Sequence, residues 1–225
     1  MTSLRLWHRV ILPATAHFRA RRGRFLLEHF PDIRRMRICD LGGSRHFWDN
    51  LGIDVPRENI TIFNISEGET ESVSGKKDDG IDFRLYDGKN IPAADNEFDL
   101  LVCNSVLEHV PLSERKALGK EMARVARAVF CQTPAWSFPL EPHFIMPFVH
   151  WLPASVGFRL MQASPWRILS RPSAQVIREY FYGTKLLKED ELRGIFPGCV
   201  VHHEMAFGLV KSYMAVYRKT SGMMA

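Results

Sequence analysis

A chain of 225 residues with a formal net charge of +5 and a sequence pI ≈ 9.1 is long enough for one domain with an elaboration and a sizeable core. Its 46% hydrophobic and 24% charged content excludes a disordered or fibrous protein, and no uninterrupted apolar run is long enough to span a bilayer. The modest basic excess does not by itself argue for nucleic acid, and no basic stripe interleaved with aromatics marks a nucleic-acid module.

In chain order, residues 4–30 read as helix. They carry Arg5, Arg9, Arg19, Arg21, Arg22 and Arg24 with no acid before Glu28. Leu4, Trp7, Val10 and Ile11 share one face, and Pro13 is expected to divide the segment into two helices. Two uses fit such a segment: a cap packed on the core with its arginines solvated, or a basic surface making peripheral contact with a membrane or an acidic substrate. Residues 37–41 form a short apolar run ending on Asp40-Leu41, followed at once by Gly42-Gly43 and then by a helix start from Ser44. A buried strand entering such a turn lets a ligand approach the main chain, because glycine carries no Cβ. Asp40 beside that opening suits a cationic ligand.

Strands are expected over 59–65, 81–86, 98–103 and 128–133, a polar loop over 66–79, and a helix over 112–126. Residues 134–182, rich in proline and aromatics, break this rhythm and read as an insertion lying over the ligand cleft. A short helix over 188–195 follows. The runs 199–206 and 209–218, turning around Gly208, are too close in sequence to pair other than antiparallel. The sum is a doubly wound α/β fold: a mostly parallel, seven-stranded sheet with an antiparallel C-terminal strand. Cys39, Cys103, Cys131 and Cys199 are far apart in apolar runs, which fits buried, reduced thiols in a cytoplasmic protein better than zinc ligands or disulfides. His202-His203 points to opposite faces of a strand and does not suit a metal pair.

Several stretches together resemble the class I S-adenosylmethionine-dependent methyltransferases, in particular the small-molecule branch called type 11. They are Ile38-Cys-Asp-Leu-Gly-Gly43, Tyr86-Asp-Gly-Lys-Asn-Ile-Pro92 with Asp95-Asn-Glu-Phe-Asp-Leu-Leu101, Cys103-Asn-Ser-Val-Leu-Glu-His-Val-Pro111 and the terminal hairpin. The resemblance implies a single methyltransferase domain over 1–225 with a basic helical cap at 1–35 and a substrate lid at 134–182. It also implies S-adenosylmethionine as cofactor and a small-molecule or lipid-like acceptor. Its cofactor residues would be Asp40, Gly42, Gly43, Asn64, Asp87, Gly88, Asn104 and Ser105. The family's further glycines are replaced here by Ser44 and His46. Where the family usually has a ribose-binding acid this chain has Asn64, so either ribose binding is weaker or Ser66 or Glu67 assists. Read without the family, Asp40 is equally a helix cap, Asp87 a turn aspartate, and Glu108 and His109 polar residues at a helix start.

Methyl transfer from a sulfonium needs chiefly alignment and exclusion of water, and a base only when the acceptor is a hydroxyl or a protonated amine. Glu141, His143 and His109 are the candidate catalytic residues, with His150 behind them; no metal site is expected. Trp136, Phe138, Phe144, Phe148 and Trp151 would line an apolar pocket or pack the lid. The competing function is a cofactor-fold binding protein without catalysis, docking a membrane or a partner enzyme. A nicotinamide enzyme fits poorly, since Gly42-Gly43-Ser44-Arg45-His46-Phe47 lacks the Gly-x-Gly-x-x-Gly spacing.

Overall fold

The computed structural model describes residues 2–66 and 80–219. Most of the expected polar loop, Glu67 included, lies outside the described residues. So do the side chains of residues 1–15, among them Arg5, Arg9 and the apolar face on Leu4, Trp7, Val10 and Ile11.

One α/β sheet carries the fold. Its strands are β1 (Ile38–Leu41), β2 (Ile60–Asn64), β3 (Asp82–Leu85), β4 (Phe98–Asn104), β5 (Ala126–Pro134), β8 (Val200–Ala206) and β9 (Leu209–Arg218), in the order β3-β2-β1-β4-β5-β9-β8. The register is parallel where β1 meets β2 (Cys39 beside Thr61) and β4 (Cys39 beside Leu101), and where β2 meets β3. β9 is the reversed strand and pairs antiparallel with β8, Val200 opposite Val216, with a bulge between Glu204 and Met205. A connection of two residues around Gly208 permits no other pairing. Every residue of β1 is buried, and Leu100, Leu101, Val102 and Cys103 of β4 are fully buried, as both-face coverage demands.

Helices α1 (Thr2–His29), α2 (Arg45–Asp49), α3 (Arg115–Val125), α4 (Ala154–Met161), α5 (Pro165–Ser170), α6 (Ala174–Gly183) and α7 (Glu189–Ile195) complete the described elements, with a small antiparallel ribbon of β6 (Leu140–Glu141) and β7 (Met146–Pro147). The expected division at Pro13 does not occur: α1 is one helix of 28 residues. A proline inside a helix removes one donor and bends the axis, but the bonds on either side suffice to carry the helix through. The C-terminal part of α1 and the residue after it pack on buried surface. Leu26 and Phe30 are buried, Phe25 stacks on His29, and a Cβ on Gly23 would lie 1.9 Å from the Leu51 carbonyl oxygen. Arg21 and Arg24 are exposed, whereas Arg22 is turned inward. No described helix is long and apolar enough to cross a membrane.

The chain divides into two compact units. The first comprises residues 1–104, 117–130 and 217–225; the second comprises 105–116 and 131–216 and contains the whole 134–182 segment. That segment has its own core of Phe144, Val149, Met161, Ile177 and Phe181, against which Phe158 and Trp166 pack. Gly157 allows α4 to close on the Val149 carbonyl, where a Cβ would sit at 3.0 Å. All four cysteines are buried and none is in a disulfide.

Candidate functional site

In the first unit the expected cofactor residues gather around the end of β1. Gly42 adopts φ 66°, a left-handed conformation that favours glycine, and its N–H donates to the Phe63 carbonyl at 2.8 Å. That N–H is therefore engaged with the chain and not open to a ligand. Gly43 is fixed by contact: a Cβ there would lie 1.7 Å from Asp40 Oδ2. Asp40 is fully buried. Trp48 Nε1 donates to its Oδ2 at 2.7 Å, while Oδ1 is buried with no hydrogen-bond partner. Burial pushes the Asp40 carboxyl up to about 7 against the pull of the Trp48 bond. The sequence alone gives Trp48 no role, since its meeting with Asp40 depends on how the turn into α2 packs. Ser44 caps α2, its Oγ accepting from Phe47 N at 3.3 Å.

Asn64, at the end of β2, is buried, and its Nδ2 donates to the Gly43 carbonyl at 3.4 Å, so it braces the turn. Asp87 is exposed, and its carboxylate accepts from Lys89 N, Asn90 N and Asn90 Nδ2 at 2.8, 2.6 and 2.8 Å. Those bonds hold its carboxyl down to about 2, and Gly88 beside it takes φ 81°. The aspartate thus forms the turn that its alternative reading described. Asn104 Oδ1 accepts from Arg22 Nη1 at 3.0 Å, a link from α1 to the exit of β4 that sequence spacing could not disclose.

The second unit begins at Ser105, a non-glycine residue at φ 58° held by two bonds to Gln132. Within this unit the three expected catalytic residues come together, with Glu108 as a fourth. Glu141 is buried; its Oε2 accepts from Phe144 N at 2.7 Å and its Oε1 from His143 Nδ1 at 2.6 Å. An ionised carboxylate only accepts, so this bond places a proton on Nδ1, and in the neutral imidazole Nε2 then keeps its lone pair. His143 Nε2 lies 3.8 Å from Glu108 Oε1. Glu108 is fully buried, its Oε2 accepts from Thr133 Oγ1 at 3.0 Å, and Oε1 has no hydrogen-bond partner. The His109 ring stands 4.9 Å from that of His143 and 5.6 Å from that of Tyr180, and Thr184 Oγ1 is 3.3 Å from its Nδ1.

These surroundings displace the titrations in opposite directions. Burial raises the Glu108 carboxyl, only partly offset by the charge of His143. Burial opposes charge on His143, but the Glu141 bond and the charges of Glu141 and Glu108 outweigh it and raise that imidazole. Burial, with His143 and Arg115 nearby, lowers His109 to about 4. His109 borders a cleft of about 230 Å³ lined also by Val176, Glu179, Tyr180, Gly183 and Thr184. His150 is not part of the group: its Nε2 meets the Trp136 carbonyl at 3.0 Å, beside the Trp151 indole donating to the same oxygen. Of the expected pocket aromatics, Phe144 is core, whereas Trp136, Phe148 and Trp151 keep exposed faces.

Residues 42–128 match the profile of a methyltransferase domain. Among solved structures, magnesium protoporphyrin IX methyltransferase from Synechocystis PCC 6803 with bound S-adenosylhomocysteine aligns at TM-score 0.59 and 15% identity, covering 92% of this chain and 84% of that one. The N-terminal domain of EvdMO1, in the presence of the same product and D-fucose, aligns at 0.51 and 18%, covering 90% and 83%. An S-adenosylmethionine-dependent methyltransferase from Archaeoglobus fulgidus aligns at 0.52 and 11%, covering 89% and 94%. A search of curated proteins found no match.

Proposed function

From a chain that has the class I methyltransferase fold and a methyltransferase-domain segment over 42–128, we propose an enzyme that moves a methyl group from S-adenosylmethionine to a small-molecule or lipid-like acceptor. The observation that carries the cofactor assignment is Asp40: a buried carboxyl with one oxygen unpartnered, beneath a glycine turn that no Cβ could share with it. An unpaired buried polar atom is costly and suits a partner that arrives with the ligand. Asp40, Gly42 and Gly43 would hold the amino-acid end, and Asn64 and Asn104 would border the rest. Asp87 contributes its turn rather than a free carboxylate. When bound, the cofactor supplies an activated methyl group on a positively charged sulfur. The chain's own part is to fix both reactants and exclude water.

The acceptor end is assigned to Glu108, His109, Glu141 and His143. Glu141 orients His143, so that Nε2 can take a proton from a hydroxyl or amine acceptor. His143→Gln is then expected to cut turnover by about 10²-fold or more while leaving binding of S-adenosylhomocysteine intact. Calorimetry with that product tests the cofactor reading: absence of binding at millimolar concentration overturns it. Labelled methyl product from any acceptor excludes the alternative of a cofactor-fold binding protein without catalysis. Four buried cysteines outside any disulfide support a reducing, cytoplasmic compartment.

A further inference from the structure

We infer that Glu108, His109 and His143 form a binding site for a divalent transition-metal ion. One ligand atom from each lies within 4.8 Å of those of the other two. Atoms each about 2.1 Å from a common ion lie about 3.4 Å apart in a tetrahedral site, so a pair at the 4.8 Å limit must close by about 1.4 Å. His109 ends a single 3-10 turn, Leu107–His109, and its ring is only partly covered, one side bordering the cleft, so it can make that adjustment.

The second observation is the unpartnered oxygen of Glu108. This carboxylate is fully buried, its Oε2 is taken by Thr133, and its Oε1 has no hydrogen-bond partner while facing His143 Nε2 at 3.8 Å. The outer partners have the arrangement that metal-binding histidines use. Glu141 accepts the proton of His143 Nδ1 and directs Nε2 toward the group, and Thr184 meets His109 Nδ1. Two imidazoles with one carboxylate favour zinc-like or other first-row ions over magnesium or calcium. Glu108 and Glu141 supply negative charge. The nearby Arg115 is paired with Glu191 at 2.6 Å, so its charge is largely balanced. The cleft beside His109 gives an entry path and room for further ligands. With the ion bound, His143 Nε2 is a ligand and no longer a free base, so any part the ion takes in holding an acceptor would replace that role; this part rests on the methyl-transfer reading, whereas the binding itself does not.

The test uses the full chain with any affinity tag removed, stripped with a chelator and titrated with Co²⁺ and then with Zn²⁺. The expected result is a visible Co²⁺ band that saturates at one equivalent and is displaced by Zn²⁺. Glu108→Gln and His109→Asn should lose the band, and Glu141→Gln should weaken binding about 10- to 100-fold. Glu189→Gln, which alters the separate pair with His203, should bind as the parent does. The exposed position of His109 protects the test against misfolding of the Glu108 variant. Absence of saturable Co²⁺ binding in the parent, or unchanged binding in His109→Asn, overturns the inference. S-adenosylhomocysteine titrated in parallel separates the two readings: Co²⁺ binding without it leaves the metal site standing and removes the methyltransferase assignment.

Discussion

Asp40 is held neutral by its surroundings, and this has a measurable sign. Its carboxyl titrates near 7 in the folded chain against 3.8 as its ordinary value. The native state therefore binds the proton more tightly, and stability falls as pH rises from about 4 to about 7. A shift of this size corresponds to about 4 kcal/mol as an upper figure. Denaturant melts across that window should fall more steeply for the parent than for Asp40→Asn; equal slopes would contradict the burial argument. Arrival of a ligand ammonium at Oδ1 would favour the ionised form, so cofactor binding near pH 6.5 should release a proton, detectable as a calorimetric heat that depends on buffer. Gly43→Ala makes a different demand. Its methyl would overlap the Asp40 carboxylate, and we expect a loss of about 2 kcal/mol or more in stability together with loss of cofactor binding.

At the scale of elements, α1 and α3 are set by single contacts that invite substitution. Alanine in place of an exposed helical glycine stabilises by about 1 kcal/mol. Gly23→Ala should reverse that sign, because the methyl would meet the Leu51 carbonyl at 1.9 Å, and a thermal melt reads the difference. Arg115 is buried at the start of α3; it donates to Glu191, the Lys185 carbonyl and the Val110 carbonyl. Arg115→Met leaves those acceptors without their donor and should cost about 3–5 kcal/mol in a chemical melt. The strands and the antiparallel pairing of the last two were legible because buried parallel strands are short apolar runs and a two-residue connection fixes its own pairing. The continuity of α1 was not, because a proline announces the loss of one bond and says nothing of the bonds around it. Trp48 on Asp40 and Arg22 on Asn104 were also hidden: each joins segments whose meeting depends on tertiary packing rather than on spacing.

For the molecule as a whole, the two units differ in what sequence could say of them. The motifs around Asp40, Asn64 and Asp87 follow strand ends, so their positions along one edge came with the topology. The joining of Glu108 and His109 with His143 depends on how the 134–182 segment folds, and its prolines and aromatics carry no period from which to read this. His143 and Glu141 were singled out, but the inward-facing Glu108 looked no different from a polar residue at a helix start. If the cofactor assignment holds, S-adenosylhomocysteine at 100 times its dissociation constant should stabilise the chain by about 2.7 kcal/mol, an effect that disappears with Asp40→Ala. Scanning calorimetry checks both outcomes.

The bond from Trp48 to Asp40 has one practical consequence. An indole whose N–H rests on a titrating acid emits differently when that acid gains or gives up its charge, so the protein carries a built-in optical gauge. Replacing the other four tryptophans with phenylalanine would leave Trp48 to follow, in real time, whatever enters beside Asp40.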